Sequence, residues 1–205
     1  MDFITIMEWI GTIAFAVSGA VVAIEKEMDY YGIGMMAVFT AIGGGIVRDL
    51  LLDRNLPASI ENPSYAIVSL LTAVVVIFCY HRIDKISHLV SIADAIGLAA
   101  FAAIGSQAAA FTGHTDVYTV VIMAMLTGVF GGAIRDICCQ EIPRIFRREV
   151  YAVACIVGGI VYAVSFPYLG LVLPAYICFG VTLVIRLYAV FQDLHLGKVS
   201  LNHNE

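Results

Sequence analysis

The chain is short of charge. Asp, Glu, Lys and Arg make up 13% of its 205 residues, and Lys and Arg together number only 11. That is about half the charge of an ordinary soluble domain, and too little basic character for a nucleic-acid surface, so no nucleic-acid partner is expected. Cysteine is limited to Cys79, Cys138, Cys139, Cys155 and Cys178, all within or at the ends of apolar runs. An odd count with no metal-ligand spacing excludes a disulfide framework and a metal centre, and these residues read as small packing side chains. No Asn-x-Ser/Thr acceptor has a permitted middle residue. His-Glu-x-x-His, Gly-x-Ser-x-Gly and paired mid-membrane aspartates are absent as well, which leaves an intramembrane enzyme without its chemistry. No basic segment precedes the first apolar run, which is long enough to span and is expected to stay rather than be cleaved as a signal.

What the chain has instead is apolar sequence. The hydrophobic fraction is 61% and the mean hydropathy +0.94, against about 45–50% apolar residues in soluble domains. A membrane span needs about 20 such residues. Seven candidates follow, at 5–24, 32–52, 63–80, 91–111, 117–138, 149–167 and 171–190. Glu25-Lys26-Glu27, Asn62-Pro63, Gly113-His114 and the pair Pro167 and Gly170 punctuate them. With the N-terminus outside, Lys26, Arg82, Lys85, Arg144, Arg147, Arg148 and Lys198 fall on the cytoplasmic side and Arg54 alone on the outer side. Orientation follows lysine and arginine placement, so an outside N-terminus and a cytoplasmic tail (191–205) are expected. Arg144, Arg147 and Arg148 are then most simply a topology signal. Trp9 and Tyr30, Tyr31, Tyr65, Tyr80, Tyr118 and Tyr151 read as interfacial belt residues. His195 and His203, in the polar tail, have no second-ligand pattern and receive no role.

The sequence also repeats itself. Gly-Gly-Ile-Val-Arg-Asp at Gly44 to Asp49 returns as Gly-Gly-Ala-Ile-Arg-Asp at Gly131 to Asp136. Gly11-x-x-x-Phe15-x-x-x-Gly19 returns as Gly97-x-x-x-Phe101-x-x-x-Gly105, and Glu8, Pro57 and Tyr65 map onto Asp94, Pro143 and Tyr151. One membrane domain, 1–205, therefore contains a repeat over 5–80, a second over 91–166, and a seventh span with no counterpart, expected to act as support. Each repeat has three spans, an odd number, so the second must cross the membrane inverted. Inverted repeats related by an axis in the membrane plane recur in transport proteins.

The doubled motif places charge where lipid excludes it. A charged side chain at bilayer depth faces protein or water, and by default marks a functional site. Gly43, Gly44 and Gly45 lie in the second span, Gly131 and Gly132 in the fifth. Such clusters suit either close helix packing or a kink or unwound segment lining a cavity; the adjacent charges favour the cavity. Arg48 and Arg135 lie near opposite membrane faces and cannot meet. Neighbours on a helix diverge by about 100°, so Arg48 and Asp49 are expected to be poor partners. Repeat symmetry offers Glu8 for Arg48 and Asp94 for Arg135, leaving Asp49 and Asp136 to face aqueous vestibules and attract cations. The alternative is that these groups snorkel to the headgroups. Ala95, Ala99 and Ala103, Ala14 with Ser18, and Ala16 with Ala20 recur at tight-packing spacing, within a subunit or between subunits. Ser18, Ser106 and Gln107 can coordinate a permeating ion or bond a neighbouring helix, the latter being favoured.

Two such motifs in the second and fifth of seven spans resemble the TRIC (trimeric intracellular cation) channel family, in its prokaryotic branch, also known by a glycine-transporter domain name. The resemblance covers residues 5 to 190. It implies a homotrimer in a prokaryotic plasma (inner) membrane, with a potassium-permeable pore through each subunit and the second and fifth spans kinked at their glycines. It places Gly43, Gly44, Gly45, Arg48, Asp49, Gly131, Gly132, Arg135 and Asp136 along the pore, with K+ or Na+ bound only in transit and no resident cofactor. Unlike the animal members, this chain has no basic residue in the fourth span, where Asp94 and Gln107 stand, and only a short tail. Phosphoinositide binding and voltage gating of the animal kind are therefore not implied. A secondary transporter of a small solute such as glycine remains the rival: broken helices in inverted repeats suit one, and a half-helix N-terminus can hold a carboxylate.

Overall fold

The computed structural model describes residues 3–82, 86–147 and 150–192. Lys85, Arg148, His195, Lys198, His203 and most of the 191–205 tail lie outside them. The described chain is helical: α1 (Phe3–Glu25), α2 (Tyr30–Leu51), a short α3 (Ala58–Glu61), α4 (Ser64–Cys79) ending in a 3₁₀ turn, α5 (Ile86–Phe111), α6 (Val117–Cys138), a short α7 (Arg144–Arg147), α8 (Val150–Leu169) and α9 (Leu173–Phe191). Seven of these, α1, α2, α4, α5, α6, α8 and α9, are long and apolar enough to cross a membrane. Six of them keep within about two residues of the limits expected from the sequence, as helix ends commonly do, while α5 begins five residues before the expected 91. Pro167 sits inside the last turn of α8, and it is Gly170, at φ +72°, that ends the helix.

Local chemistry repeats along with topology. The Asp29 carboxylate accepts from the Gly32 amide at 2.7 Å to start α2, and Asp116 accepts from the Thr119 amide at 2.8 Å to start α6. That bond holds the Asp116 carboxyl below the usual range, as a charged acceptor at a helix N-terminus should be. Left-handed backbone at Glu27 (φ 55°) recurs at Gly113 (φ 90°), and Asp53 (φ 55°) at Gln140 (φ 57°).

The two halves meet mate to mate. Phe15 fills the space over Gly97, while Phe101 fills that over Gly11, and the two rings stack at 5.4 Å. Residues 11 and 15 of α1 thus face 101 and 97 of α5, so these mates run antiparallel. The same crossing recurs between α2 and α6: a Cβ on Gly44 would collide with the Thr127 carbonyl oxygen, and one on Gly131 with that of Thr40. Antiparallel contact between repeat mates is what inversion about an in-plane axis requires. The small-residue stripes Ala14/Ser18, Ala16/Ala20 and Ala95/Ala99/Ala103 are all buried within the subunit. They let the central pair α1 and α5 approach closely, which is how apolar helices associate when lipid supplies no hydrophobic drive. α9 packs against α5 and α8, adding an outer member to the second repeat alone.

Candidate functional site: two buried ion networks

Each network sits where the C-terminal end of a motif helix meets the start of its repeat. At the first, Arg48 donates through Nε to Asp49 Oδ1 at 2.7 Å and through Nη2 to Oδ2 at 3.1 Å. Glu8 from α1 stands 3.8 Å from Arg48 Nη1 and accepts from the Tyr65 hydroxyl of α4 at 2.5 Å. Arg54 approaches Asp49 at 3.4 Å, and the Ala58 amide donates to Asp49 Oδ2 at 2.9 Å. The second network repeats the scheme. Arg135 donates to Asp136 Oδ1 from Nε at 2.9 Å and from Nη2 at 2.7 Å, and the Arg144 amide donates to Asp136 Oδ2 at 2.8 Å. Arg135 Nη1 also reaches Asp94 of α5 at 2.7 Å and the Ser18 hydroxyl of α1.

Several expectations are met and several corrected. Asp94 pairs with Arg135, while Glu8 pairs only loosely with Arg48. The sequence neighbours Arg48–Asp49 and Arg135–Asp136 do pair, contrary to the helical-angle argument, because a guanidinium on a four-bond stem can curl around the helix to its neighbour. Neither Asp49 nor Asp136 is open to solvent, although Asp49 forms part of a cavity wall beside Glu8. Both are buried and cap the loop that follows their helix, tying it to Ala58 and Arg144. A carboxylate in the last turn opposes the helix dipole, and the adjacent arginine offsets that. Ser18 serves as an acceptor for Arg135, and Ser106 donates to the Ala102 carbonyl at 3.0 Å, both structural bonds. Gln107 is buried, with Oε1 lacking a partner among the described residues. Cys155 and Cys178 pack internally, but Cys79 and Cys138 are exposed on the apolar exterior.

The glycines act mainly as contact points. α2 and α6 run through them as unbroken α-helix, so of the alternatives the unwound segment is absent. Gly43 admits the Ile134 methyl, and Gly132 admits the Tyr151 hydroxyl, which would lie 2.5 and 2.6 Å from an added Cβ. Gly45 is different: nothing lies within 4 Å of its missing Cβ. It borders a small cavity of about 20 Å³ lined by Glu8, Thr12, Ala41, Arg48 and Phe101, room for about one water. A wider cavity of about 340 Å³ shares Glu8 and Arg48 and is walled by Asp49, Arg54, Ile104 and Phe111.

Three residues missed as site members complete the geometry. Tyr65 binds Glu8 and stacks on Trp9 at 5.1 Å. Its repeat mate Tyr151 is fully buried, not interfacial, and Arg186 of α9 lies over its ring at 4.7 Å. The repeat offset that pairs Tyr65 with Tyr151, and a lone arginine in the last apolar run, were the available signals.

These features define a multi-pass helical membrane protein whose two inverted halves each close on a buried arginine–carboxylate network. The family model described as "Glycine transporter" matches residues 5–81 and again 91–167. The chain belongs to that family, the prokaryotic branch of the TRIC family. It is 36% identical over 201 residues, 97% of both chains, to the "UPF0126 inner membrane protein YadS" of Escherichia coli K12. A structure described as "Structural basis for conductance through TRIC cation channels" superposes with a TM-score of 0.89 at 33% identity, covering 98% of this chain and 99% of its own. A TRIC trimeric intracellular cation channel orthologue from Rhodobacter sphaeroides also gives 0.89, at 31% identity, covering 95% and 100%.

Proposed function

We propose that the protein is a monovalent-cation channel, permeable to potassium, with one pathway through each subunit of a homotrimer in a prokaryotic inner membrane. The observation that carries this reading is the cavity beside Glu8 together with the smaller one that shares Glu8 and Arg48 with it and lies at the bare face of Gly45. The likeness to structures described as cation channels supports it. Gly43, Gly44, Gly131, Gly132, Arg135, Asp49 and Asp136 frame that pathway by holding α2 and α6 together and fixing the loops at their ends. K+ or Na+ would bind in transit. The face carrying Glu8 is read as external, because Lys26, Arg82, Arg144 and Arg147 lie toward the other.

Fixed arginines beside acidic groups suit a channel that lowers the barrier for cations while preventing tight binding. Purified protein in planar bilayers is expected to give unitary currents with a reversal potential that follows the potassium gradient. The second reading, a carrier for a small zwitterion such as glycine, is favoured by one feature: the larger cavity presents both a carboxylate (Glu8) and guanidinium groups (Arg48, Arg54). Saturable glycine counterflow without unitary currents would replace the channel reading with this one.

A further inference from the structure

The two ion networks are built from equivalent residues, yet they are not electrically equivalent. At the first, Glu8 and Asp49 face one buried arginine, Arg48, since the Arg54 side chain is 51% exposed at the solvent edge. The Glu8 side chain retains 16% exposure and borders the 340 Å³ cavity. At the second, Asp94 and Arg135 are each 0% exposed, and the acids Asp94 and Asp136 lie among two buried arginines, Arg135 and Arg186, with the half-buried Arg144 at the loop edge. The extra cation comes from α9, the element without a repeat counterpart. Sequence accommodates it: Trp9, which stacks on Tyr65 in the first repeat, corresponds to Ala95 in the second. The Tyr151 ring is covered by the Arg186 guanidinium instead, 4.7 Å from its centroid.

We propose that Arg186 is a tethered counter-cation: it supplies at the second network the positive charge that a permeant cation supplies beside Glu8 at the first. Two consequences follow, the first resting on the channel reading. Cation entry is favoured from the Glu8 side and opposed at the Asp94 side, so current rectifies. The second consequence is independent of transport. Removing Arg186 leaves Asp94 and Asp136 sharing one buried arginine, Arg135, which destabilises the fold, and a small cation that fills the vacancy restores stability by mass action.

The test compares the wild type with Arg186→Gln, Arg186→Lys, Glu8→Gln and the double variant Asp94→Asn/Arg186→Gln. Thermal unfolding in detergent is measured in potassium chloride and in an equal concentration of N-methyl-D-glucamine chloride, whose cation is too large for a buried site. Arg186→Gln should show a larger potassium-dependent rise in Tm than the wild type. Arg186→Lys and the double variant should return to the wild-type dependence, and Glu8→Gln should lose the wild type's own. Equal lowering of the Arg186→Gln Tm in both salts would mean a purely structural residue and would overturn the proposal. In oriented bilayers the ratio of currents at opposite voltages should move toward one for Arg186→Gln but not for Arg186→Lys. An unchanged ratio in a conducting Arg186→Gln channel would also overturn it. A wild type with no current but with the potassium-dependent Tm pattern would retain the tethered cation and reject the channel.

Discussion

Gly44 and Gly45 are adjacent in sequence, yet the structure gives them opposite duties, and alanine at each separates the two. A methyl on Gly44 would collide with the Thr127 carbonyl oxygen, a backbone atom that no side-chain rotation can move aside. Restoring van der Waals contact requires α2 and α6 to separate by roughly 1 Å. Overpacking of this kind costs about 1–3 kcal/mol, and a backbone obstacle belongs at the upper end. Alanine returns about 1 kcal/mol through helix propensity. The net is about 2 kcal/mol of destabilisation, which for a chain of this length is about 4–8 °C in Tm. Gly131→Ala, facing the Thr40 carbonyl, should match it. Gly45→Ala meets nothing within 4 Å, so it keeps only the propensity gain and should melt at or above the wild type. Its methyl enters the small cavity with room for about one water, so unitary conductance should fall. The assay is thermal unfolding in detergent beside single-channel recording. Gly45→Ala melting as low as Gly44→Ala, or Gly44→Ala melting with the wild type, would refute the packing argument. Unchanged conductance in Gly45→Ala would refute a pathway through that cavity.

Asp94→Ala strips a fully buried arginine of one partner and should cost about 3–5 kcal/mol, whereas Glu8→Ala, which loses a 3.8 Å arginine contact and the Tyr65 hydroxyl, should cost about 1–2 kcal/mol; urea or thermal unfolding ranks them. The exchange Glu8→Arg with Arg48→Glu should be no better than Arg48→Glu alone, because it sets a carboxylate against Asp49, the principal partner of Arg48; recovery in the double variant would show that Glu8 is the principal partner instead. Tyr65→Phe removes the hydroxyl that binds Glu8 and should lower stability by about 1 kcal/mol, measured by the same unfolding. Lys26 bonds Glu141 at 2.5 Å, which raises the lysine pKa and lowers that of the glutamate. The glutamate's contribution is present above the ordinary carboxylate range and fades as pH falls through its lowered value; the lysine's is present below the ordinary ammonium range and fades as pH rises through its raised value. Glu141→Gln should remove both arms from a Tm–pH profile, by a small amount that shrinks further with salt; a profile unchanged by the substitution would mean the pair is broken in solution.

The spans, their number and the inversion were legible because each leaves a one-dimensional trace: an apolar run about 20 residues long, an odd number of spans per repeat, and the same glycines and acids recurring. The Asp94–Arg135 pair was legible for the same reason. The roles of Asp49 and Asp136 were not, since they depend on where a loop amide nine or eight residues later returns in space. Side-chain reach also defeated the helical-wheel argument for Arg48 and Asp49. Arg186 escaped notice because α9 has no repeat mate to flag it, and its partner Tyr151 looked interfacial by position although the bundle buries it. Whether a glycine packs or lines a space is decided by the opposing helix, so Gly44 and Gly45 look alike in sequence and differ only in the folded chain.

The crossed seating of Phe15 over Gly97 and Phe101 over Gly11 means that each half carries both the lock and the key for the other. A larger residue at 11 cannot be accommodated by adjusting its own repeat; relief must come from residue 101, in the opposite half. Sequence change near the axis is therefore expected to proceed in crosswise couples, 11 with 101 and 15 with 97, rather than within either repeat. Two halves coupled in this way can drift far apart in sequence while each remains obliged to the other, which is how a duplicated chain keeps its symmetry after its two ends have acquired different work.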